Sequence, residues 1–328
     1  MTSIVNYSTA GDPNTEPSHP ISAEPQREAT VVARKSVTYF LREVHYSFSP
    51  FQRDPELEAR VKDITRTWTY EEQIRPQIIT GLAITEAAYP HLTMKTKVGV
   101  ALFTASTTAM DGPETPNKVA SSGFHRKLCD GAIYDEGNIF ADFVTILSGT
   151  WQCYPPFGSN MIMVSALQFM NASILEGLGN GAAITSRSFV EYRRFIGGMP
   201  EAYAYFIWEK ARFPDERVYL KVLPDAVSYI NFTNDIMSFY KEVLEGDTTN
   251  YISDRARVTS KSILETLQDT VDETVAAHHR IRSILGEGAA RDAWDSFANG
   301  YISFHLGDPR YRLRDLLDCE YLFNHAEY

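Results

Sequence analysis

Apolar residues recur at helical spacing along most of this chain. From Val37 onward, apolar and polar residues alternate mostly at intervals of three and four, which is the spacing of one helix face. Runs of β-branched residues are short, and no Asn-Gly or Asp-Gly pair is flanked by alternating strands. The pattern therefore predicts an all-α protein. The predicted helices span residues 36–46, 55–72, 74–90, 93–110, 136–152, 160–175, 187–209, 215–245, 258–284, 289–306 and 311–325.

The two ends of this pattern differ in character. Residues 1–35 are rich in Pro, Ser, Thr and Glu and have no helical periodicity, so we expect a flexible N-terminal arm. Residues 36–328 then form one domain. Within it, residues 97–110 are apolar or small nearly all round, which is typical of a helix buried at the centre of a bundle.

Composition and charge narrow the function. The chain has 328 residues, of which 44% are hydrophobic and 22% charged, and this composition predicts a soluble globular protein. A formal net charge of -11 argues against a nucleic-acid partner, because such binding depends on clustered Lys and Arg. No uninterrupted apolar run approaches the length of a membrane span, and the N-terminus does not resemble a signal peptide, so we expect a cytoplasmic protein. The three cysteines suggest neither a disulfide framework nor a zinc site.

The strongest chemical signal is a polar stripe within the predicted helix over residues 215–245. Asn234, Ser238 and Glu242 recur at intervals of four, so successive turns present an amide oxygen, a hydroxyl and a carboxylate on one face. Mg²⁺ prefers hard oxygen ligands and retains positions for water and phosphate oxygens. The stripe offers oxygens that suit Mg²⁺, but a plain solvated face is the commoner explanation for such a stripe taken alone.

Two basic segments flank this stripe in the sequence. Arg310 and Tyr311 follow an aromatic stretch over residues 301–305, and Arg193 and Arg194 lie on a predicted helix, each followed four residues later by glycine. A guanidinium group suits phosphate because its planar fork donates two hydrogen bonds and stays charged. Each pair by itself is also compatible with a surface arginine.

The string Asn-Asp-Ile-Met-Ser-Phe-Tyr-Lys-Glu over residues 234–242, with the two basic segments, resembles the fungal class I terpene cyclases of the trichodiene synthase type. The resemblance covers about residues 37–318 and is densest over 193–314. It implies a single helical bundle around a deep cavity, with a prenyl diphosphate held at the mouth by Mg²⁺, three ions in the full family pattern. By the same resemblance the groups that bind the diphosphate are Arg193, with Arg194 as the second choice, Lys241, Arg310 and Tyr311.

The chain departs from the family where an aspartate-rich sequence is expected, at the end of the buried helix. In a register without gaps, Met110 stands at the first aspartate, Asp111 at the second and Glu114 at the late acidic position. Alternatively, Asp111 is the first ligand and Glu114 follows it, although Pro113 disfavours a regular helix there. In either register the motif is reduced, so we expect fewer or weaker metal sites, and an acidic turn without metal is an equal alternative.

The resemblance also implies a reaction. The expected substrate is farnesyl diphosphate, with geranyl or a longer chain left open, and the expected activity is that of a carbon–oxygen lyase that makes a cyclic sesquiterpenoid. Two alternatives remain: capture of the cation by a second small molecule such as an amine or water, and a non-catalytic isoprenoid-binding protein. Whether the chain forms a homodimer is also open. Aromatic side chains expected to line the cavity, or to be plain core residues, are Phe103, Trp151, Phe232, Phe239, Tyr301 and Phe304.

Overall fold

A computed structural model describes residues 23–48, 51–111, 123–131, 137–178 and 186–323. These ranges contain thirteen α-helices and no β-strand, which confirms the predicted all-α class. Short 3₁₀ turns connect several of them. The helices are α1 Ala23–Glu43, α2 Pro55–Thr65, α3 Arg75–Ala88, α4 Met94–Met110, α5 Phe124–Cys129, α6 Ile139–Cys153, α7 Pro156–Leu178, α8 Arg187–Gly197, α9 Pro200–Phe206, α10 Leu223–Leu244, α11 Tyr251–Thr259, α12 Ile263–Leu285 and α13 Ala289–Gly307.

Helix α3 is wedged between α4 and α13 at two glycines. A Cβ atom on Gly81 would lie 2.3 Å from the carbonyl oxygen of Ala101 in α4. A Cβ atom on Gly300 of α13 would lie 1.9 Å from the carbonyl oxygen of Ala87 in α3. Only glycine permits such an approach, so the three helices are in direct backbone contact.

Helix α4 is buried along most of its length, as the small and apolar residues over 97–110 predict. Its first turn is held by the carboxylate of Glu209, which is 1% exposed. That carboxylate accepts hydrogen bonds from the Thr93 amide at 2.9 Å, the Thr93 hydroxyl at 2.7 Å and the Thr96 hydroxyl at 2.6 Å. A buried charge is tolerated here because several donors face it.

The predicted helix over residues 187–209 is divided into α8 and α9. Met199, between them, has a left-handed φ of 49°, and Pro200 begins α9. Proline at the start of a helix needs no amide partner but cannot continue the preceding one. Helix α10 ends at Leu244, and two residues later Gly246, with a φ of 71°, turns the chain so that the Asp247 amide donates to the Glu242 carbonyl oxygen at 2.9 Å. The break and the cap fix the ends of the elements that carry the candidate site.

The first helix begins earlier than the amphipathic pattern indicated. Helix α1 starts at Ala23, within the segment assigned to the arm, and residues 1–22 lie outside the described residues. Ala33, Val37, Phe40 and Val44 are all buried, and they form one stripe that packs against α10 and α12. At the other end, residues 311–325 were predicted as a helix, but two 3₁₀ turns, Pro309–Tyr311 and Leu313–Asp315, stand there instead.

Helix α7 is the one helix of the described ranges whose length and composition would suffice to cross a membrane. Interior helices of soluble bundles also meet that criterion. In this fold α7 packs against α6, α8 and α9, and Ile162, Ala166 and Met170 are fully buried.

Candidate functional site

A central cavity of about 120 Å³ collects side chains from most of the bundle. Its walls come from α3, α4, α7, α8, α9, α10 and α13 and from the turn Pro309–Tyr311. Residues predicted from the sequence that line it are Asp111, Asn234, Tyr301, Phe304, Arg310 and Tyr311. These residues span two hundred positions of the chain, so their convergence is a property of the fold.

The predicted triad lies on α10, and its two later members are buried. Ser238 is 0% exposed and Glu242 is 4% exposed. The Ser238 hydroxyl is close to the Glu242 carboxylate, but no hydrogen bond of standard geometry forms and its oxygen is left without a partner. Burial, reinforced by the nearby Asp235 carboxylate, raises the pKa of Glu242 to about 7. A buried hydroxyl without a partner beside a carboxylate with a raised pKa is a set of oxygens that suits a cation.

Asn234, the first member of the triad, is held from both sides. Its Oδ1 is 3.3 Å from a guanidinium nitrogen of Arg194, and its Nδ2 is 3.2 Å from Nε2 of His305. Burial lowers the pKa of His305 to about 3, so the imidazole is neutral. The Asn234 amide therefore connects Arg194 on α8 with His305 on α13.

Of the two adjacent arginines on α8, it is Arg194, the second choice of the sequence prediction, that lines the central cavity. Its Nε donates to both oxygens of Asp235, at 2.8 and 3.0 Å, and Nη2 donates to the Asn231 carbonyl oxygen at 3.0 Å. Arg193 points instead toward α11, where it binds Asp254. Both arginines reach a smaller adjoining cavity, so the role predicted for Arg193 remains a prediction.

The glycine four residues after Arg194 leaves room for its guanidinium group. A Cβ atom on Gly198 would lie 2.3 Å from Nη1 of Arg194 and 2.6 Å from Oδ1 of Asn231. Gly198 has ordinary right-handed backbone angles, φ −90° and ψ −7°. The absence of a side chain at this position is therefore required by space and not by backbone conformation.

The predicted Arg–Tyr pair and Lys241 form a second basic group. Arg310 donates to the Tyr311 hydroxyl at 2.5 Å, and its guanidinium carbon lies 4.7 Å from the centre of the Tyr311 ring. The Nε of Arg310 is buried without a hydrogen-bond partner. Burial and the positive charge of Arg310 lower the pKa of Lys241, whose ammonium is 4.0 Å from Glu245. These cations are incompletely paired and suit an anion.

At the end of α4, the structure distinguishes two neighbouring residues. Met110 is 2% exposed and belongs to the hydrophobic core, whereas Asp111, the C-terminal cap of α4, lines the cavity. Glu114 lies outside the described residues. Both registers make Asp111 a site residue, so its place in the cavity wall does not choose between them. Metal binding by Asp111 and Glu114 remains a prediction.

The predicted aromatic wall divides into three groups. Tyr301 and Phe304 line the central cavity. Phe103 lines a second, apolar cavity of about 250 Å³ on the other side of α4, whereas Phe239 is buried in the core. Phe232 stacks on Tyr251 at a centroid distance of 5.3 Å, and Trp151 is 41% exposed on α6. Two of the six rings are thus placed to touch a ligand in the central cavity.

These residues fit Mg²⁺. Asn234, Ser238 and Glu242 offer three oxygens, and the Ser238 oxygen is buried without a partner. In the described part of the chain, no three or more His, Cys, Asp or Glu side chains cluster as a metal site. A site of amide, hydroxyl and carboxylate oxygens is of a different type, one that hard divalent cations accept.

The family model described as trichodiene synthase (TRI5) matches residues 52–325. The chain belongs to this family of terpene synthases. It is 45% identical to Monoterpene synthase 25 of Postia placenta over 308 residues, 93% of each chain. It is 45% identical to Terpene synthase 29 of the same fungus over 87% of this chain and 84% of the other, and 30% identical to Terpene synthase BipA of Cochliobolus sativus over 87% and 92%.

Several cavity residues of this terpene synthase were not expected from its sequence. The hydroxyl of Tyr203 donates to Thr104 at 3.1 Å, and both line the central cavity with Phe169. Thr104 lies in the segment predicted as the central helix, which gave a signal for burial but not for a cavity. His305 stands in the aromatic stretch before Arg310, but its lack of metal-ligand spacing gave no reason to assign it a role.

Proposed function

We propose that the protein is a class I terpene cyclase that ionises a prenyl diphosphate, with farnesyl diphosphate the expected substrate, and cyclises the resulting carbocation. The observation that carries this proposal is the convergence of Asn234, Arg194, Arg310 and Tyr311 on one cavity whose other walls include the aromatic and apolar side chains of Ile84, Phe169, Ile230, Tyr301 and Phe304. An anion-binding mouth joined to such walls matches a ligand with a diphosphate head and an isoprenoid tail.

The basic groups would stabilise the leaving diphosphate. Arg310 has an unpaired buried Nε, and Lys241 has its nearest carboxylate at 4.0 Å, so both can donate to phosphate oxygens without first breaking a strong pair. Donors placed in advance around a developing negative charge lower the barrier to its formation. Mg²⁺ held by Asn234, Ser238 and Glu242 would supply additional positive charge to the same phosphate oxygens.

The walls below the mouth would protect and guide the cation. Tyr301, Phe304 and Phe169 all line the cavity, Phe169 from α7 and the other two from α13. Ring faces stabilise cations, and a tail buried against these rings would be shielded from part of the water that quenches them. At about 120 Å³ the cavity is smaller than the roughly 300 Å³ of small ligand sites, so these side chains would have to move to admit the tail and would then limit how it folds.

The prenyl chain length is best tested directly. The family resemblance implies farnesyl diphosphate, whereas one relative that is 45% identical is named a monoterpene synthase. A monoterpene synthase would use the shorter geranyl diphosphate. We therefore expect turnover of farnesyl diphosphate and propose that geranyl diphosphate be assayed beside it.

Capture of the cation by water is the second candidate function. Thr104, Thr107, Thr108 and Tyr203 place four hydroxyl groups on the cavity wall. A water molecule inside a protein needs two to four polar partners, and this wall offers them. A terpene alcohol as the main product would favour this route over a cyclic hydrocarbon.

Diphosphate release by the purified full chain tests the proposal. The wild type is incubated with Mg²⁺ and farnesyl or geranyl diphosphate, and both diphosphate and organic products are measured. Glu242→Gln and Asn234→Leu should each abolish Mg²⁺-dependent release, because each removes one of the three oxygen ligands, while the circular dichroism spectrum stays helical.

Glu245→Gln is the matched control, because Glu245 is an exposed carboxylate three residues after Glu242 on the same helix end. It should retain near-wild-type release. Full activity of Glu242→Gln would remove the metal assignment, and no release by the wild type with either substrate would favour a non-catalytic isoprenoid-binding protein.

A further inference from the structure

His305 lies beside the predicted metal ligand Asn234 and is 0% exposed. We propose that His305 is a positioning residue: its imidazole, anchored through Nδ1 to the backbone, accepts a hydrogen bond from the amide of Asn234 and so helps to turn the amide oxygen toward the cation site. The inference rests on the proposed function, because it concerns a ligand of the proposed Mg²⁺ site.

The backbone determines which ring nitrogen carries the proton. Nδ1 of His305 lies 2.7 Å from the carbonyl oxygen of Tyr301, one helical turn earlier. A carbonyl oxygen can only accept, so Nδ1 must donate. Nε2 lies 3.2 Å from Nδ2 of Asn234, and because an amide NH₂ group can only donate, Nε2 accepts this hydrogen bond. The amide nitrogen therefore donates to the histidine.

Arg194 imposes the same orientation from the opposite side. Its Nη2 lies 3.3 Å from Oδ1 of Asn234, and a guanidinium group has donors only. If the amide were rotated by half a turn, its NH₂ group would face the guanidinium and its oxygen would face the lone pair of His305 Nε2. Both hydrogen bonds would be lost. Arg194 and His305 therefore favour the same orientation of Asn234.

The imidazole ring cannot readily turn to relieve this constraint. It packs at a centroid distance of 4.6 Å from Tyr301, nearly perpendicular at 86°, and at 4.6 Å from Tyr311. The Phe304 ring is 5.2 Å away. The same packing links the orientation of the amide to Tyr311, the predicted diphosphate ligand.

The orientation matters because an amide binds a hard cation through its oxygen and not through its nitrogen. When Arg194 moves toward a phosphate group, it no longer holds Oδ1, and His305 is then the remaining partner that keeps the oxygen turned toward the cation. Removing groups that orient a metal ligand typically weakens metal binding by 10- to 100-fold. We expect the lower end here, because two other oxygens remain.

Mg²⁺ titration in the presence of inorganic pyrophosphate tests this role without requiring turnover. The readout is the Mg²⁺ concentration that gives half of the maximal rise in melting temperature of the full chain. His305→Leu and His305→Phe should raise it about tenfold. His305→Gln, which can place an amide oxygen where Nε2 stood, should raise it less than about threefold.

The matched control is His278→Leu. His278 is also a buried histidine, 4% exposed. It lies on α12 and packs against Tyr229 of α10 and Trp294 of α13. This variant should lower the melting temperature without changing the Mg²⁺ midpoint. If His305 has only a structural role, His305→Leu and His305→Phe will also lower the melting temperature without changing the Mg²⁺ midpoint. That result would overturn the proposal.

A double substitution separates orientation from general damage. In Asn234→Asp both carboxylate oxygens can bind a cation, so orientation no longer matters and adding His305→Phe should not weaken binding further. An equal loss in both backgrounds contradicts the proposal. If instead Asn234→Leu leaves the Mg²⁺ midpoint of the wild type unchanged, the proposed metal site itself is wrong, which is a failure of the proposed function and is recognised separately.

Discussion

Replacing Gly198 with alanine adds one methyl group at the point where α8 meets the central cavity. The methyl carbon would lie 2.3 Å from Nη1 of Arg194 and 2.6 Å from Oδ1 of Asn231, both far inside van der Waals contact. The backbone angles of Gly198 are ordinary for alanine, so the substitution introduces no backbone strain. The side chain of Arg194 must therefore move away from its present position.

The size of the effect follows from what Arg194 leaves behind. The paired side chains of Arg194 and Asp235 are only 12% and 10% exposed. Breaking a buried ion pair costs about 3–5 kcal/mol when one charge is left without a partner. Arg194 is flexible and can keep part of its contact, and alanine gains about 0.4–1 kcal/mol through the unfolded state. We expect a net loss of about 1–3 kcal/mol in the free energy of unfolding, less than the full cost of the broken pair because part of the contact is kept and alanine offsets some of the loss.

Activity should suffer more than stability, because the displaced guanidinium is a predicted diphosphate donor. Loss of one such donor lowers the rate of the chemical step by about 100-fold. Urea unfolding followed by circular dichroism gives the stability change, and diphosphate release gives the rate.

Gly149→Ala is the matched control for Gly198→Ala. Gly149 lies inside α6, and no atom stands within 4 Å of the added methyl carbon. Alanine there should stabilise the protein by about 0.5–1 kcal/mol and leave diphosphate release unchanged. If Gly198→Ala behaves in the same way as this control, the space beside Arg194 is not needed and the reasoning is refuted.

Three further predictions concern other parts of the fold. Arg310→Ala should lower diphosphate release about 100-fold, whereas Arg314→Ala, at an exposed position, should stay within about twofold; equal rates would show that the Arg–Tyr assignment is coincidental. Glu209→Ala should lower the free energy of unfolding by about 2–4 kcal/mol, because it leaves three donors at the start of α4 unsatisfied, and urea unfolding measures this loss. Burial lowers the pKa of His278 from 6.5 to about 3, so the stability this histidine contributes is present above pH 6.5 and is lost as the pH falls toward 3. Between pH 6.5 and 5 the loss should be about 2 kcal/mol, and His278→Leu should show a correspondingly flatter dependence of unfolding free energy on pH.

The shared face of Asn234, Ser238 and Glu242 could be predicted from the sequence because it depends only on helical periodicity, whereas their metal role rests on the family resemblance and stays a prediction. Asn234, Ser238 and Glu242 recur at intervals of four, so any helix through them places their side chains on one face. The all-α class was predictable for the same reason. No knowledge of neighbouring elements enters either inference.

The two arginines of α8 show where such reasoning ends. Arg193 and Arg194 are adjacent, so they point about 100° apart on the helix, and only the packing of α8 against its neighbours decides which one faces the cavity. The partner of Arg193, Asp254, lies 61 residues later. Met110 and Asp111 present the same problem at the end of α4. So do the aromatic rings, because Phe103 lines one cavity beside α4 whereas Tyr301 and Phe304 line the other. Each case requires the rotation of an element relative to the others, which local pattern does not contain.

The glycine contacts of α3 have a consequence for how this scaffold tolerates mutation. With the backbone of α3 resting directly on α4 at Gly81 and on α13 at Gly300, the spacing of the three helices cannot narrow, and any larger residue at either glycine would force them apart. Variation in cavity size must therefore come from side chains that project into the space, such as Phe169 and Tyr203. Libraries that aim to change the product should vary these projecting residues and leave Gly81 and Gly300 untouched.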